Sequence, residues 1–255
     1  MYKIAVLLVI TLTGSVTQPD PAEIVKKSHD AVKVDSYEAV STLTITDNRN
    51  NTRVRKSSMA SKVFPDGTEK RIIKFLSPAE VEGTGILIFD HEEKADDMWI
   101  YLPALRKTRR IISREKSSSF MGSEFSNSDM TAPAMSEFRY KLNGSETLNE
   151  KACYKITSTP LNIDIEEEYG YSKRIQWIEK NNYLVQKSEY YDISGELLKT
   201  IRMDSYKIVE GSNKMMVTDM YAENHQNGRS SRMKMDKVQI TDTDEYYFTV
   251  GYLER

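Results

Sequence analysis

The sequence predicts a mainly β protein: an incomplete antiparallel β-barrel, or half-barrel, with an N-terminal helix and a loop or helix lid over an apolar cavity. Three observations predict it. Turn chemistry recurs at hairpin spacing, with Asp47-Asn48, Pro65-Asp66-Gly67, Asn143-Gly144, Asn181-Asn182, Ser194-Gly195, Glu210-Gly211 and Asn227-Gly228 each separating runs rich in Val, Ile, Thr, Tyr and Phe. A single early segment carries clear helical periodicity. A strand at 98–102 is apolar on both faces and runs into a Ser- and Gly-rich stretch that bears large apolar side chains. A long antiparallel sheet twists, and with few helices available it curls around whatever fills its concave side.

Taken in order, Lys3 precedes an apolar run from Ile4 to Leu12, followed by Thr13, Gly14 and Ser15. This pattern predicts a cleaved signal peptide at 1–15 and a mature domain at 16–255. The run from Ile4 to Val16 falls short of the ~20 residues of a spanning helix. The expected product is a soluble periplasmic protein. It is also expected to be unlipidated, because the only cysteine, Cys153, lies deep in the mature chain. A lone cysteine forms no internal disulfide, and between Ala152 and Tyr154 it reads as a buried strand thiol.

Ile24, Val25, Ala31 and Val32 give an apolar stripe to a helix at 22–34, with Asp20 as N-cap. Period two follows: Tyr37, Ala39, Ser41, Leu43 and Ile45 share one strand face. Further strands are expected at 69–76, 85–90, 98–102, 152–158, 174–179, 184–191, 197–209, 214–223 and 229–240. The segment 113–136 breaks the pattern with Ser, Gly and Pro, and excursions of that length in compact domains are usually functional or disordered. The tail at 244–255 carries Tyr246, Tyr247, Phe248 and Leu253, enough to dock as a last element.

The balance of 36 basic and 38 acidic residues, net charge −2, disfavours a general polyanion partner and argues against nucleic acid. Trp99, Tyr101 and Leu102 are candidates for the wall of the cavity. Phe120, Met121, Phe125 and Met130 are candidates for a flap that closes over it, because large apolar groups on a loop-like segment need apolar surroundings. Methionine suits a surface that adapts to varied apolar shapes, and the chain has 12.

Arg106, Lys107, Arg109, Arg110, Arg114 and Lys116 form a basic run. It reads either as a solvated strand face with a charged loop, or as Arg106, Arg109 or Arg110 gripping a headgroup or holding the flap through its carbonyls. Arg109 and Arg110 point to opposite faces, so only one of them looks inward. The acidic cluster Asp90, His91, Glu92, Glu93, Asp96 and Asp97 reads as a solvated hairpin turn, lacking the spacing of a calcium loop. No metal, cofactor or nucleotide fingerprint is present.

The residues W-I-Y-L-P-A-L-R-K-T-R-R-I at 99–111, S-F-M-G-S-E-F at 119–125 and Asp129 resemble the LolA-like outer-membrane lipoprotein-sorting protein family. The resemblance runs from the early helix to the ending Phe248 to Leu253. It implies a half-barrel whose concave face binds the acyl chains of a lipid or lipoprotein, no covalent catalysis, and a frequent partnership with inner-membrane exporters of the resistance-nodulation-division (RND) type. Two other readings are a lipid hydrolase using Ser117, Ser118, Ser119 or Ser123, and an envelope stress-sensing or scaffold module that binds a protein partner. The hydrolase would need a base and an oxyanion hole, and no G-x-S-x-G elbow is present. The scaffold would use the same apolar groove.

Overall fold

The computed structural model describes residues 18–92 and 94–255; the expected signal segment and Glu93 lie outside them. Helix α1 (Pro21–Val32) starts where the sequence places it. Pro21 occupies the first turn, and the Asp20 carboxylate accepts the Ala22 N–H at 3.0 Å. Its apolar stripe buries Ile24 and Val25.

Six strands follow: β1 (Ser36–Thr46), β2 (Thr52–Val63), β3 (Glu69–Ser77), β4 (Gly85–Asp90), β5 (Asp97–Leu102) and β6 (Lys107–Arg110). After a chain of short 3-10 turns come β7 (Phe138–Leu148), β8 (Lys151–Pro160) and helix α2 (Ile163–Tyr169). The remaining strands are β9 (Lys173–Glu179), β10 (Val185–Tyr191), β11 (Leu197–Ile208), β12 (Met215–Asn224) and β13 (Ser230–Ile240). A 3-10 turn at Glu245–Phe248 and helix α3 (Val250–Leu253) close the chain.

All strands join one antiparallel sheet in the order β6-β5-β4-β3-β2-β1-β13-β12-β11-β10-β9-β8-β7, open between β6 and β7. The predicted strands match the observed ones within about two residues. Strand β6 is the strand-face reading of the basic run, whereas β2, β7 and α2 are not among the expected elements. β2 begins with exposed polar residues and hides its alternation. Asn143-Gly144 is no turn: it lies inside β7, where the register to β8 slips between Leu142 and Ser145. Gly144, at φ 105°, supplies the backbone freedom of a bulge.

The sheet has two differently covered faces. On the inner face, Tyr37, Leu43, Ile73, Ile86, Ile201 and Met233 meet the segment after β6 in one apolar cluster. α1 covers Ile156 and Ile178 on the same side. On the outer face, Ala60, Ile72 and Leu87 lie under Phe248 and Leu253 of the C-terminal segment. Gly85 permits that docking, because a Cβ there would stand 2.6 Å from Leu253 Cδ1.

This division corrects the expectation for Trp99 and Tyr101. The register pairs Trp99 with Leu87, and both aromatics join the outer cluster with Phe89 and Tyr252. The strand is apolar on both faces because both are covered: Met98 and Ile100 inside, Trp99 and Tyr101 outside. Leu102, at the end of β5 opposite Lys107, is half-buried and belongs to none of the apolar clusters among the described residues.

Leu253→Ala should therefore cost about 2–5 kcal/mol of stability, the usual range for emptying such a site. Urea unfolding measures the loss. Binding of an apolar ligand on the inner face should be unchanged per folded molecule.

Candidate ligand-binding site

β6 and β7 are consecutive in the chain yet lie at opposite edges of the sheet. The residues between them must cross from one edge to the other, and they do so across the inner face. Phe120, Phe125 and Met130 are buried there, with Met121 half-buried against the same cluster. The Phe120 and Phe75 rings lie 6.3 Å apart. The Ser- and Gly-rich composition that reads as loop thus encodes tight turns around inserted side chains. Phe120 N–H donates to Phe125 C=O at 2.7 Å, and the Ser123 hydroxyl donates to Phe120 C=O at 2.7 Å.

Arginines do hold this flap through its carbonyls, but they are different arginines from those expected. Arg55 on β2 donates to Met121 C=O, Arg71 on β3 to Met130 C=O at 2.5 Å, and Arg229 to Gly122 C=O at 2.8 Å. Arg229 also pairs with Glu124 at 3.0 Å. Asp129 and Lys199 of β11 form an ion pair with both side chains buried. The Asp90 carboxylate accepts the Ala132 N–H at 3.0 Å.

The three expected arginines lie elsewhere. Arg106 occupies the left-handed turn before β6. Arg109 shares the face of its partner Ile100 and is the inward member of its pair by register, yet its guanidinium reaches Glu115 at 2.8 Å, half exposed. Arg110, opposite Trp99, pairs with Asp97. No signal in the sequence distinguishes Arg55, Arg71 and Arg229 from other strand and turn arginines.

A cavity of about 350 Å³ lies between α1, the end of the flap and the sheet. This is at the lower end of the roughly 300–1,000 Å³ of small-molecule sites. Met203, Met216, Met220 and Met235 line one side with Met130 and Met135 from the flap; Tyr171, Arg174, Gln176 and Tyr190 line the other. Of the expected wall and flap residues, only Met130 contributes to this lining. The rest of the flap fills the inner face beside it.

Charge inside the cavity is mostly compensated. Glu69 and Arg71 pair at 2.6 Å. Burial, followed by the charges of Arg174 and Lys26, holds the His29 imidazole down to about 4, so it is neutral at neutral pH. The turn at 90–97 is less solvated than its composition suggests, with Asp96 buried and accepting the His91 N–H at 3.0 Å. Burial first, and then the neighbouring Asp96 carboxylate, pushes Asp90 well above the usual carboxylate range.

Two of the four candidate serines serve the flap's own backbone, Ser119 donating to Ser123 C=O and Ser123 to Phe120 C=O. His91 bonds Thr68 and Asp97, and His225 bonds Thr200. Among the described residues no histidine meets these serines.

The comparisons with known proteins bear on this arrangement. A family model described as an uncharacterized protein matches residues 67–255. A solved outer membrane lipoprotein-sorting protein domain from Vibrio parahaemolyticus is 28% identical, with a TM-score of 0.84 over 92% of this chain and 98% of that one. The chain belongs to the family that this model describes, and it shares its fold with that lipoprotein-sorting domain. A DUF1329 family protein from Desulfovibrio piger is 27% identical, with a TM-score of 0.84 over 92% of this chain and all of that one. A LolA superfamily protein from Nitrosomonas europaea shares the fold at 21% identity and a TM-score of 0.71, covering 92% of this chain and 100% of that one. No curated protein matches the chain.

Two outcomes test the flap's attachments. Lys199→Met leaves the Asp129 carboxylate buried without its partner, a change that costs about 3–5 kcal/mol in comparable pairs. Hydrogen exchange at 117–130 should then quicken more than exchange in the hairpin near Asn181. Asp90 binds its proton more tightly in the folded state, so its favourable contribution is complete below about pH 4 and is lost as pH rises through the raised folded value. Asp90→Asn should therefore gain stability over the parent protein at pH 7, with the gap closing toward pH 4 in thermal unfolding.

Proposed function

We propose that this protein is a periplasmic carrier that shelters the acyl chains of a lipid or lipoprotein and passes them toward the outer membrane, in partnership with an RND-type exporter. The observation that carries the reading is the methionine-lined cavity closed by a segment whose apolar side chains sit in the path a larger ligand would take. The lipoprotein-sorting relative supports it. No helix among the described residues is long and apolar enough to cross a membrane.

The mechanism is reversible burial. Each methylene moved from water into apolar surroundings contributes about 0.8 kcal/mol, so part of one acyl chain is worth several kcal/mol before ordering costs. Phe120, Met121 and Phe125 occupy the inner face in the empty protein and yield it to cargo. The arginine contacts to flap carbonyls are exchangeable for water at modest net cost. They favour closure without forbidding opening. Delivery requires an acceptor that binds the cargo better. The segments 1–15, as a cleaved signal, and 16–255, as the carrier domain, complete this reading.

The full chain should bind a fluorescent fatty-acyl probe stoichiometrically, and Met220→Asp should weaken binding about tenfold or more while circular dichroism is retained. Exchange at 117–130 should change on binding. Phospholipid recovered after incubation should be chemically intact. Lysolipid or free fatty acid that disappears in Ser119→Ala or Ser123→Ala would replace the carrier with a hydrolase.

A further inference from the structure

Antiparallel register places Tyr140, Ser158, Arg174, Tyr190 and Lys199 in one cross-strand row on the inner face, from β7 to β11. The two cations in that row are treated differently. Lys199 has Asp129. Arg174 is 7% exposed, makes no ion pair among the described residues, and its Nε has no hydrogen-bond partner. The Tyr171 hydroxyl and the Gln176 amide oxygen are also buried without partners, and all three side chains line the cavity.

A guanidinium taken out of water without a counter-charge is costly, and natural interiors seldom keep one unless something pairs with it. Of the other cations that line the cavity, Arg71 has Glu69 as counter-charge although its Nε is also unpartnered, Lys26 has Asp30 and Glu92, and the half-buried Lys33 donates to Gly67 C=O. Among the described residues Arg174 is the buried cation of this lining without an ion pair, and it offers a planar donor fork beside a hydroxyl able to donate. An oxyanion fits that set, because its oxygens accept two parallel N–H bonds from the fork and another from Tyr171. The methionines of β11–β13 continue the lining on the strands beside β10, so an oxyanion held at Arg174 can be the end of an apolar chain.

We propose that Arg174 is the headgroup site, and that the cargo is an amphiphile with a carboxylate or phosphate head bound at Arg174 and Tyr171 and its acyl chain against Met203, Met216 and Met220. This rests on the carrier reading and narrows it. The protein selects a free anionic lipid, whose charge is desolvated inside, over an acylated protein terminus that carries no anion at the chain's head.

The test is displacement titration of the full chain with hexadecanoate, hexadecyl phosphate and hexadecanol, which share a chain and differ in the head. At least one anion should bind about tenfold or more tighter than the alcohol, as a charge-assisted hydrogen-bond pair supplies. The stronger of the two anions identifies carboxylate or phosphate as the source. Arg174→Gln should reduce the anion to the affinity of the alcohol and leave the alcohol unchanged. Arg174→Lys, which keeps the charge and loses the fork, should fall between. Equal binding of all three probes to the parent protein overturns the headgroup site and leaves the carrier standing, as does an anion preference that survives Arg174→Gln. If the variants fail to fold, the comparison of the three probes on the parent protein still decides. Failure of every probe, the alcohol included, overturns the carrier reading and the headgroup site together.

Discussion

An open sheet whose two edge strands follow one another in the chain sets the constraint on which the rest depends. β6 and β7 lie at opposite ends of a thirteen-strand order, so the residues between them have to traverse the hollow. A polar linker there would leave backbone groups to be desolvated against an apolar wall. The chain inserts Phe120, Phe125 and Met130 and ties the backbone around them with serine hydroxyls and turns. The same segment is thereby both connection and core. That dual role links fold to proposed function, since whatever enters the hollow competes with part of the protein's own interior.

The inner face is chemically two-sided. Methionines on β11–β13 offer a surface that adapts with little strain, because the unbranched side chain has several accessible rotamers. Beside them in the sheet, tyrosines, Gln176 and Arg174 form a polar wall on β9 and β10 and the turn before β9. Charge in this low-dielectric space is neutralised by two routes, pairing, as in Asp129 with Lys199, and loss of charge, as in His29; at Arg174 neither operates within the described residues. The flap is held mainly by side chains from the sheet to its main-chain carbonyls, contacts that leave its sequence free to be apolar.

Much of the sheet was legible because its signals are local. The turns at Pro65-Asp66-Gly67, Asn181-Asn182, Ser194-Gly195 and Asn227-Gly228 fall between neighbouring strands, and the alternation Tyr37, Ala39, Ser41, Leu43 and Ile45 marks a face that is buried throughout. Asn143-Gly144 misled because the same dipeptide chemistry serves a bulge as well as a turn. Helix α2 escaped notice because seven residues, IDIEEEY, are too few to show a period, even with Asn162 and Gly170 capping its ends.

The sequence by itself determined the half-barrel class, the opening helix, most strands and the presence of an apolar insertion at 120–130, since each is written in the spacing of neighbouring residues. Only the tertiary structure decided which face each strand turns inward. Trp99 and Tyr101 are as apolar as Met98 and Ile100, and composition cannot tell which side the C-terminal segment covers; the register of β4 against β5 does. The same holds for the charges. Arg55, Arg71 and Arg174 look no different in sequence from Arg109 and Arg110; Arg55 and Arg71 take their roles from flap carbonyls dozens of residues away, and Arg174 from its burial. Burial and pairing are properties of those long-range neighbours, and a linear pattern carries them only where the fold has already fixed who the neighbours are.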